Sequence, residues 1–218
     1  MKLSQFLSNL LDYIFYRKCY ICSKKCFEIS LCNDCIDNIF SNLSFYNTKK
    51  LGVEVYAGGI YAEELLKIIR ALKYHKKSEF EKILADIIVK TIKNYNLKLE
   101  DYTICPVPIH KNRLKKRRYN HMELVANSVA KELSINVNTE FIKRVKDTDP
   151  LYKLSIPDRK KTIDGAFIVT KEVKDKNIIL LDDIITSGTT IREISKLLLE
   201  NGAKKVIAIV ATRAKSFI

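Results

Sequence analysis

The sequence predicts an α/β fold, in which a mostly parallel sheet is flanked by helices and preceded by a small cysteine-rich module. Strand-like and helix-like segments alternate from about residue 53 onward, the order that produces parallel strands joined by helices. The segment NIILLDD at 177–183 contains a continuous apolar run, as expected of a central strand covered on both faces. Five of the six cysteines lie before residue 36. We therefore expect an N-terminal module over 1–50 and the α/β domain over 51–218.

The apolar spacing along the chain predicts the order of the elements. Apolar residues recur at roughly helical spacing in 1–18, which predicts a short amphipathic helix packed on the cysteine-rich module. The expected strands are 53–61, 102–109, 141–145, 177–183 and 204–212. The expected helices are 62–73, 79–93, 120–133 and 188–200. The polar connection over 146–165 is long enough to form a functional or mobile loop.

Composition excludes several classes of protein. The 218 residues are 47% hydrophobic and 29% charged, with 6 Gly and 4 Pro, so the chain can bury a core and is not of low complexity. No apolar run approaches the roughly 20 residues that span a bilayer. Ser, Gln, Asn and Asp interrupt the apolar residues at the start of the chain. We expect neither a membrane span nor a secretion signal, and hence a cytoplasmic protein.

The cysteine cluster has the spacing of a metal site. Two Cys-x-x-Cys pairs, Cys19 with Cys22 and Cys32 with Cys35, suit two turns that present four thiolates tetrahedrally to zinc. Cys26 is left over, although it lies close enough to replace a neighbouring ligand. Four cysteine ligands leave no open coordination position, so the expected zinc is structural. The alternative is a disulfide cluster, which requires an oxidising compartment.

The net charge points to an anionic partner. Lys and Arg number 39 against 25 Asp and Glu, which gives a formal charge of +14. Such a balance favours binding of nucleic acid or of a phosphorylated small molecule. A compositional bias toward Lys is the alternative explanation. The three histidines, His75, His110 and His121, have no carboxylate partner that the sequence identifies, so exposed or capping roles are expected for them.

The segment IILLDDIITSGTT at 178–190 carries the most specific chemistry. A buried strand delivers Asp182 and Asp183 at its carboxyl end, where open α/β sheets bind their ligands. A loop of small residues follows just before a helix, and it comprises Thr186, Ser187, Gly188, Thr189 and Thr190. Backbone N–H groups, hydroxyls and a helix N-terminus suit a single phosphate, and a glycine permits close approach of the main chain. The Gly-Lys-Ser/Thr ending of the nucleotide P-loop is missing.

This segment resembles the signature of the type I phosphoribosyltransferases. The resemblance implies that the loop 186–190 holds the 5-phosphate of phosphoribosyl pyrophosphate (PRPP). It also implies that Asp182 and Asp183 hold the ribose 2- and 3-hydroxyls. Magnesium is then expected to accompany PRPP, bound mainly through the pyrophosphate.

A four-cysteine module ahead of this fold resembles the ComF family of competence proteins. Three further segments are similar to that family: Leu72-Lys73 at a helix end, PVPIHKNRLKKRRYNH at 106–121, and LSIPDRKKTIDGAF at 154–167. The chain also departs from the family pattern. Arg118 and His121 stand where the family usually has Gly and Gln, Leu151 where it has Gln, and Thr162 where it has Asn.

A basic stretch follows the PVP strand. Six cations occupy eight positions, and they are Lys111, Arg113, Lys115, Lys116, Arg117 and Arg118. They could stabilise pyrophosphate as it leaves the ribose. Alternatively, with Tyr119 as a stacking ring, they could follow a single-stranded nucleic-acid backbone. A solvated helix face is a third interpretation, and Lys73 is a further candidate for a phosphate contact.

Two functions from different classes follow. The ComF resemblance implies a PRPP-binding protein that assists DNA uptake and the handling of single-stranded DNA in natural competence, with a helicase-like DNA-uptake partner expected from the family. The alternative is an active phosphoribosyltransferase with an unknown acceptor. Such an enzyme mainly positions PRPP and excludes water, so the lack of an evident catalytic acid or base does not argue against it. A purely structural adaptor role would not require the intact phosphate-binding turn.

Overall fold

The computed structural model describes residues 16–27, 29–148 and 162–217. The strands are β1 (Arg17–Lys18), β2 (Lys25–Cys26), β3 (Tyr46–Thr48), β4 (Glu54–Ile60), β5 (Tyr102–Pro106), β6 (Asn136–Val137), β7 (Ile142–Arg144), β8 (Phe167–Val169), β9 (Asn177–Ile185) and β10 (Lys205–Arg213). The helices are α1 (Asn33–Ser41), α2 (Glu63–Tyr74), α3 (Glu81–Asn94), α4 (Lys111–Arg117), α5 (His121–Leu133) and α6 (Thr189–Glu200). A short 3-10 helix, Ser78–Phe80, precedes α3.

Six strands form the main sheet in the order β3-β4-β10-β9-β5-β6. All neighbouring pairs are parallel except β3 with β4. The central strand is β9, in which Leu181 lies opposite Ile209 of β10 and Pro106 of β5. Its residues 178–181 are at most 1% exposed. The predicted α/β fold with a mostly parallel sheet is thus confirmed.

Successive side chains of β9 enter two different cores, because a strand alternates its side chains between the faces of a sheet. Ile179 and Leu181 pack with residues of α2, α3 and α5 on one face. Leu180 packs on the other face with residues of α6 and of the antiparallel pair β7–β8. The ends of α2 and α5 therefore lie on the face toward which the odd-numbered side chains of β9 point.

The cysteine-rich part packs on the first of these cores. Leu31 and Ile39 are buried in the same cluster as α3, and the Tyr20 ring meets Phe80 at 5.7 Å. The predicted boundary at residue 50 stays a prediction, and strand β3, just before it, pairs with β4 of the main sheet. Most of the helix predicted for 1–18 and most of the connection over 146–165 lie outside the described residues. No helix within the described parts is long and apolar enough to cross a membrane.

Candidate functional site

The turn between β9 and α6 lies at the carboxyl end of the central strand. Gly188 adopts a positive φ of 73°, a conformation that favours glycine, and a Cβ there would lie 2.5 Å from Cδ1 of Leu51, whose side chain would have to move. The hydroxyls of Ser187 and Thr189 are 2.9 Å apart. Within the described residues no side chain caps the start of α6, so its first N–H groups lack the capping partner that many helices have. Residues 186–190 thus offer N–H and hydroxyl donors suited to a phosphate.

Asp183 is buried and bonded by two side chains from other elements. Its Oδ2 lies 2.6 Å from Nζ of Lys73, at the end of α2, and 2.5 Å from Nε2 of His121, at the start of α5. Burial alone would raise the pKa of Asp183, but Lys73 and His121 hold it well below its ordinary value. Asp183 is therefore ionised over the physiological range.

Asp182 projects to the opposite face of the sheet. Its Oδ1 accepts a hydrogen bond from the backbone N–H of Asp183 at 3.0 Å. Burial and the neighbouring Asp183 carboxylate raise the pKa of Asp182 to about 7, against the opposing effects of Lys73 and Arg144. Asp182 therefore binds its proton more tightly than Asp183 does.

His121 corrects one expectation from the sequence. It is 3% exposed and has a carboxylate partner, Asp183, whereas the sequence identified none. Burial lowers the pKa of His121, although Asp183 raises it. Its Nδ1 is buried without a hydrogen-bond partner among the described residues. The available signal was its position, because His121 stands where the ComF pattern has Gln, another side chain with an N–H donor.

His110 has the capping role that was expected, but it is buried, and its Nδ1 also lies 3.4 Å from a carboxylate oxygen of Asp147, a partner that the sequence did not identify. Nδ1 of His110 accepts from the backbone N–H of Asn112 at 3.3 Å and so caps α4. His75 is exposed, and its Nδ1 lies 3.2 Å from the Tyr20 hydroxyl.

The basic stretch forms helix α4, and the structure divides its cations into two groups. Arg113, Lys116 and Arg117 line a pocket of about 280 Å3 between α4 and the end of α2. The other lining residues are Lys73, Tyr74, Lys76 and Tyr119. The three remaining cations, Lys111, Lys115 and Arg118, are exposed outside it. Arg118 ends the helix with a left-handed φ of 72°, the conformation that favours glycine.

Two tyrosines contribute differently to this cationic pocket. Tyr119, the ring proposed for stacking, is partly buried, and its hydroxyl donates to the carbonyl of Leu72 at 2.7 Å. Tyr74 is 57% exposed, and the guanidinium carbon of Arg117 lies 5.0 Å from its ring centre. Burial lowers the pKa of Arg117. The role of Tyr74 could not be predicted from the sequence, because only the tertiary approach of α2 to α4 places it beside the cations.

Arg144 is a second residue that the sequence did not single out. It ends β7, burial lowers its pKa to about 10, and its charge acts on Asp182. Its Nη2 lies 2.5 Å from Oγ1 of Thr148, whose carbonyl also accepts from Arg113 of α4. These contacts bring the start of the long connection next to the basic helix.

The four cysteines of the two pairs converge. The sulfur atoms of Cys19, Cys22, Cys32 and Cys35 lie within 4.8 Å of one another, a cluster that could hold a metal ion such as zinc. Burial would raise the pKa of Cys19, but N–H groups of neighbouring backbone lower it to about 6, which favours the thiolate. The sulfur of Cys26 lies outside the cluster and donates to the carbonyl of Arg17 at 3.4 Å.

Comparison with known proteins agrees with this geometry. Residues 123–216, which include β9, the turn and α6, match the family model described as "Phosphoribosyl transferase domain". Together with the parallel sheet, this match identifies a phosphoribosyltransferase-like protein.

Proteins of similar sequence identify the family within this class. The chain is 31% identical over 155 residues to "Competence protein F" of Haemophilus influenzae, covering 68% of this chain and 67% of that protein. It is 29% identical over 150 residues to "DNA utilization protein YhgH" of Escherichia coli, covering 67% and 66%. Among solved structures it is similar to a phosphoribosylpyrophosphate synthetase from Mycobacterium smegmatis, at 25% identity and a TM-score of 0.36, covering 62% of this chain and 33% of that one. The chain belongs to the ComF family of competence proteins.

Proposed function

We propose that this protein binds PRPP at the β9–α6 turn and assists the handling of single-stranded DNA during natural competence. The proposal rests on the positions of the acids, the turn and the cationic pocket relative to one another. The two acids and the small-residue turn end the central strand, and Lys73 connects Asp183 directly to the cationic pocket. This arrangement supports the proposal, because a phosphorylated ribose bound at the turn would have its further phosphates close to the cations of the pocket.

The 5-phosphate, the ribose and the pyrophosphate of PRPP would each bind different residues of this site. The 5-phosphate would bind the N–H groups and hydroxyls of 186–190, and Asp182 and Asp183 would accept hydrogen bonds from the ribose hydroxyls. Magnesium would screen the pyrophosphate, and the carboxylate and phosphate oxygens at this end of the sheet are of the kind that it binds. Lys73 and Arg117 would then meet the pyrophosphate, since Lys73 contacts Asp183 and Arg117 lines the same pocket as Lys73.

DNA would bind through the cationic surface of α4. The formal charge of +14 favours any polyanion, and affinity should fall steeply as salt rises. Relatives named for competence and for DNA utilization support DNA as that polyanion. A cytoplasmic location and a helicase-like partner of DNA uptake belong to the same proposal, while structural zinc would hold the cysteine-rich part in its fold.

Calorimetry with PRPP and Mg2+ tests the ligand. We expect binding by the parent protein, weaker binding of ribose 5-phosphate, and loss of PRPP binding in the double variant Asp182→Asn with Asp183→Asn. A double variant that binds PRPP as tightly as the parent would remove these acids from the site. Circular dichroism of each variant checks that the fold is retained.

Anisotropy with fluorescent oligo-dT tests the DNA surface. Two double variants are compared. The pocket pair is Arg113→Ala with Lys116→Ala, and the pair on the exposed side of α4 is Lys111→Ala with Lys115→Ala. Each double variant removes two positive charges. Each double variant should lower affinity and reduce the salt dependence of binding by roughly two ion contacts. We expect the larger loss from the pocket pair, and no loss from either pair would exclude these four cations from DNA binding.

The second candidate is phosphoribosyl transfer. In that reaction the bond from ribose C1 to pyrophosphate breaks, pyrophosphate leaves with the electron pair, and an acceptor forms the new bond to C1. The cations beside Asp183 favour it because they could neutralise the departing pyrophosphate. A pyrophosphate-release assay with nucleobases, amines and DNA as acceptors tests this reaction. Release that depends on an acceptor and on Asp183 would support it, and PRPP binding without release would support the binding function alone.

A further inference from the structure

The cationic pocket between α2 and α4 combines charge with an accessible aromatic ring. Among the lining residues that the structure describes, five are Lys or Arg, two are Tyr, and none is acidic. Tyr74 is the last residue of α2 and is 57% exposed. The guanidinium carbon of Arg117 lies 5.0 Å from the centre of the Tyr74 ring. Pockets for phosphate alone have no need of an exposed ring, whereas nucleotides present a π face and a phosphate together.

We infer that this pocket receives one nucleotide of single-stranded DNA, with its base stacked on Tyr74. The inference rests on the proposed function and names the residue that holds the base. A volume of about 280 Å3 is at the small end of ligand pockets, which limits the occupant to about one nucleotide. The rest of a strand would remain on the surface, in contact with the exposed cations of α4.

The two tyrosines of the pocket have separate tasks. Tyr119 fixes the geometry, because its hydroxyl is bonded to the Leu72 carbonyl in the last turn of α2. That bond holds the end of α2 against α4, and so places Tyr74 next to Arg117. The phosphates flanking the stacked base would meet Lys76, Arg113 and Lys116, since these cations line the same pocket. Stacking tolerates every base, so we expect little sequence preference.

A tryptophan probe tests the stacking directly, because the natural chain contains no Trp. Tyr74→Trp would supply the only indole, whose fluorescence a stacked base quenches. Phe27→Trp is the matched control, since Phe27 is also 57% exposed but lies in the cysteine-rich part. We expect oligo-dT to quench the indole of Tyr74→Trp and not that of Phe27→Trp, and an abasic oligonucleotide of equal length to quench neither.

Affinity supplies the second measurement. Tyr74→Ala should weaken oligo-dT binding roughly five- to 150-fold, the range for one stacked base, and should leave the salt dependence unchanged because no cation is removed. Tyr74→Phe keeps the aromatic ring and should bind oligo-dT about as tightly as the parent. If the parent binds oligo-dT, but Tyr74→Ala binds equally well and the indole of Tyr74→Trp is not quenched, the inference is wrong and the proposed function stands. If the parent binds no oligo-dT, the proposed DNA function fails as well.

Discussion

The Lys73 ammonium lies 2.6 Å from the Asp183 carboxylate and also lines the cationic pocket, so one side chain belongs to both candidate sites. A ribose hydroxyl that donates to Asp183 must compete with this ammonium and with His121. Once displaced, Lys73 is a free cation beside whatever anion occupies the pocket. Binding at either site should therefore change the affinity of the other, by the same factor in both directions.

Replacing Lys73 by Met should have two effects. It leaves Asp183 with His121 as its only side-chain partner among the described residues, so the free energy of unfolding should fall. The loss should be smaller than the ~3–5 kcal/mol of a fully buried pair, because Lys73 is partly exposed. Lys73 also lowers the pKa of His121, so that pKa should rise in the variant. Urea unfolding and NMR titration of the His121 ring measure the two effects.

Lys76→Met is the control for this variant. Lys76 lines the same pocket but is exposed and forms no ion pair within the described part of the chain. Its loss should leave both the stability and the His121 titration close to those of the parent. An unchanged pKa of His121 in Lys73→Met would show that the ammonium does not act on His121 in solution.

Asp182→Asn should stabilise the protein at high pH. The raised pKa of Asp182, about 7, means that the folded state holds this proton more tightly than the unfolded chain does. Stability is therefore lost as pH rises from about 4, where the unfolded carboxyl ionises, to about 7, where the folded one does. The asparagine keeps an Oδ1 acceptor for the N–H of Asp183 but cannot ionise.

Thermal unfolding across pH measures this prediction. Asp182→Asn should match the Tm of the parent near pH 4 and exceed it at pH 8, with a gain of about 2–4 °C for each kcal/mol. The exposed Asp101 provides a control, since Asp101→Asn should leave the difference small at both pH values. A Tm gain that is equal at pH 4 and pH 8 would show that the stabilisation does not come from removing the ionisation of Asp182.

The sequence predicts the β9 strand, the turn and the cysteine pairs because each of these is local. Acids at a strand end and a glycine in a small-residue turn lie within a few residues of one another. The partners of Asp183 could not be predicted in the same way, since His121 is 62 residues away. Tyr74 and Arg117 meet only because α2 ends against α4. Contacts between distant elements depend on packing, which no local pattern encodes.

Arg118→Gly should stabilise the protein. Arg118 holds a left-handed φ of 72° at the end of α4, where a side chain is strained and glycine is not. Relief of that strain should add about 1 kcal/mol to the free energy of unfolding. Arg118→Lys keeps both the strain and the charge and should leave stability unchanged. Urea unfolding of the two variants measures the difference, and equal stability would mean that the backbone is not strained there.

Metal content distinguishes the cysteines. We expect one zinc ion per chain in the parent and in Cys26→Ser, because the Cys26 sulfur lies outside the cluster and contacts a backbone carbonyl. Cys19→Ser removes one of the four converging sulfurs and should lose the zinc and lower the Tm. Elemental analysis and thermal unfolding of the purified variants measure both. Zinc lost from Cys26→Ser but kept by Cys19→Ser would reassign the ligands.

Zinc loss should also be detectable at the cationic pocket. Tyr20 follows Cys19 directly, its ring packs on Phe80, and its hydroxyl contacts His75, the neighbour of Tyr74. Loosening of the cysteine cluster should therefore loosen the end of α2. We expect a chelator to shift the fluorescence of the Tyr74→Trp variant, and a smaller shift when Tyr20→Ala has already removed the connection. If the emission is unchanged while zinc is released, the metal stabilises the cysteine-rich part without positioning the pocket.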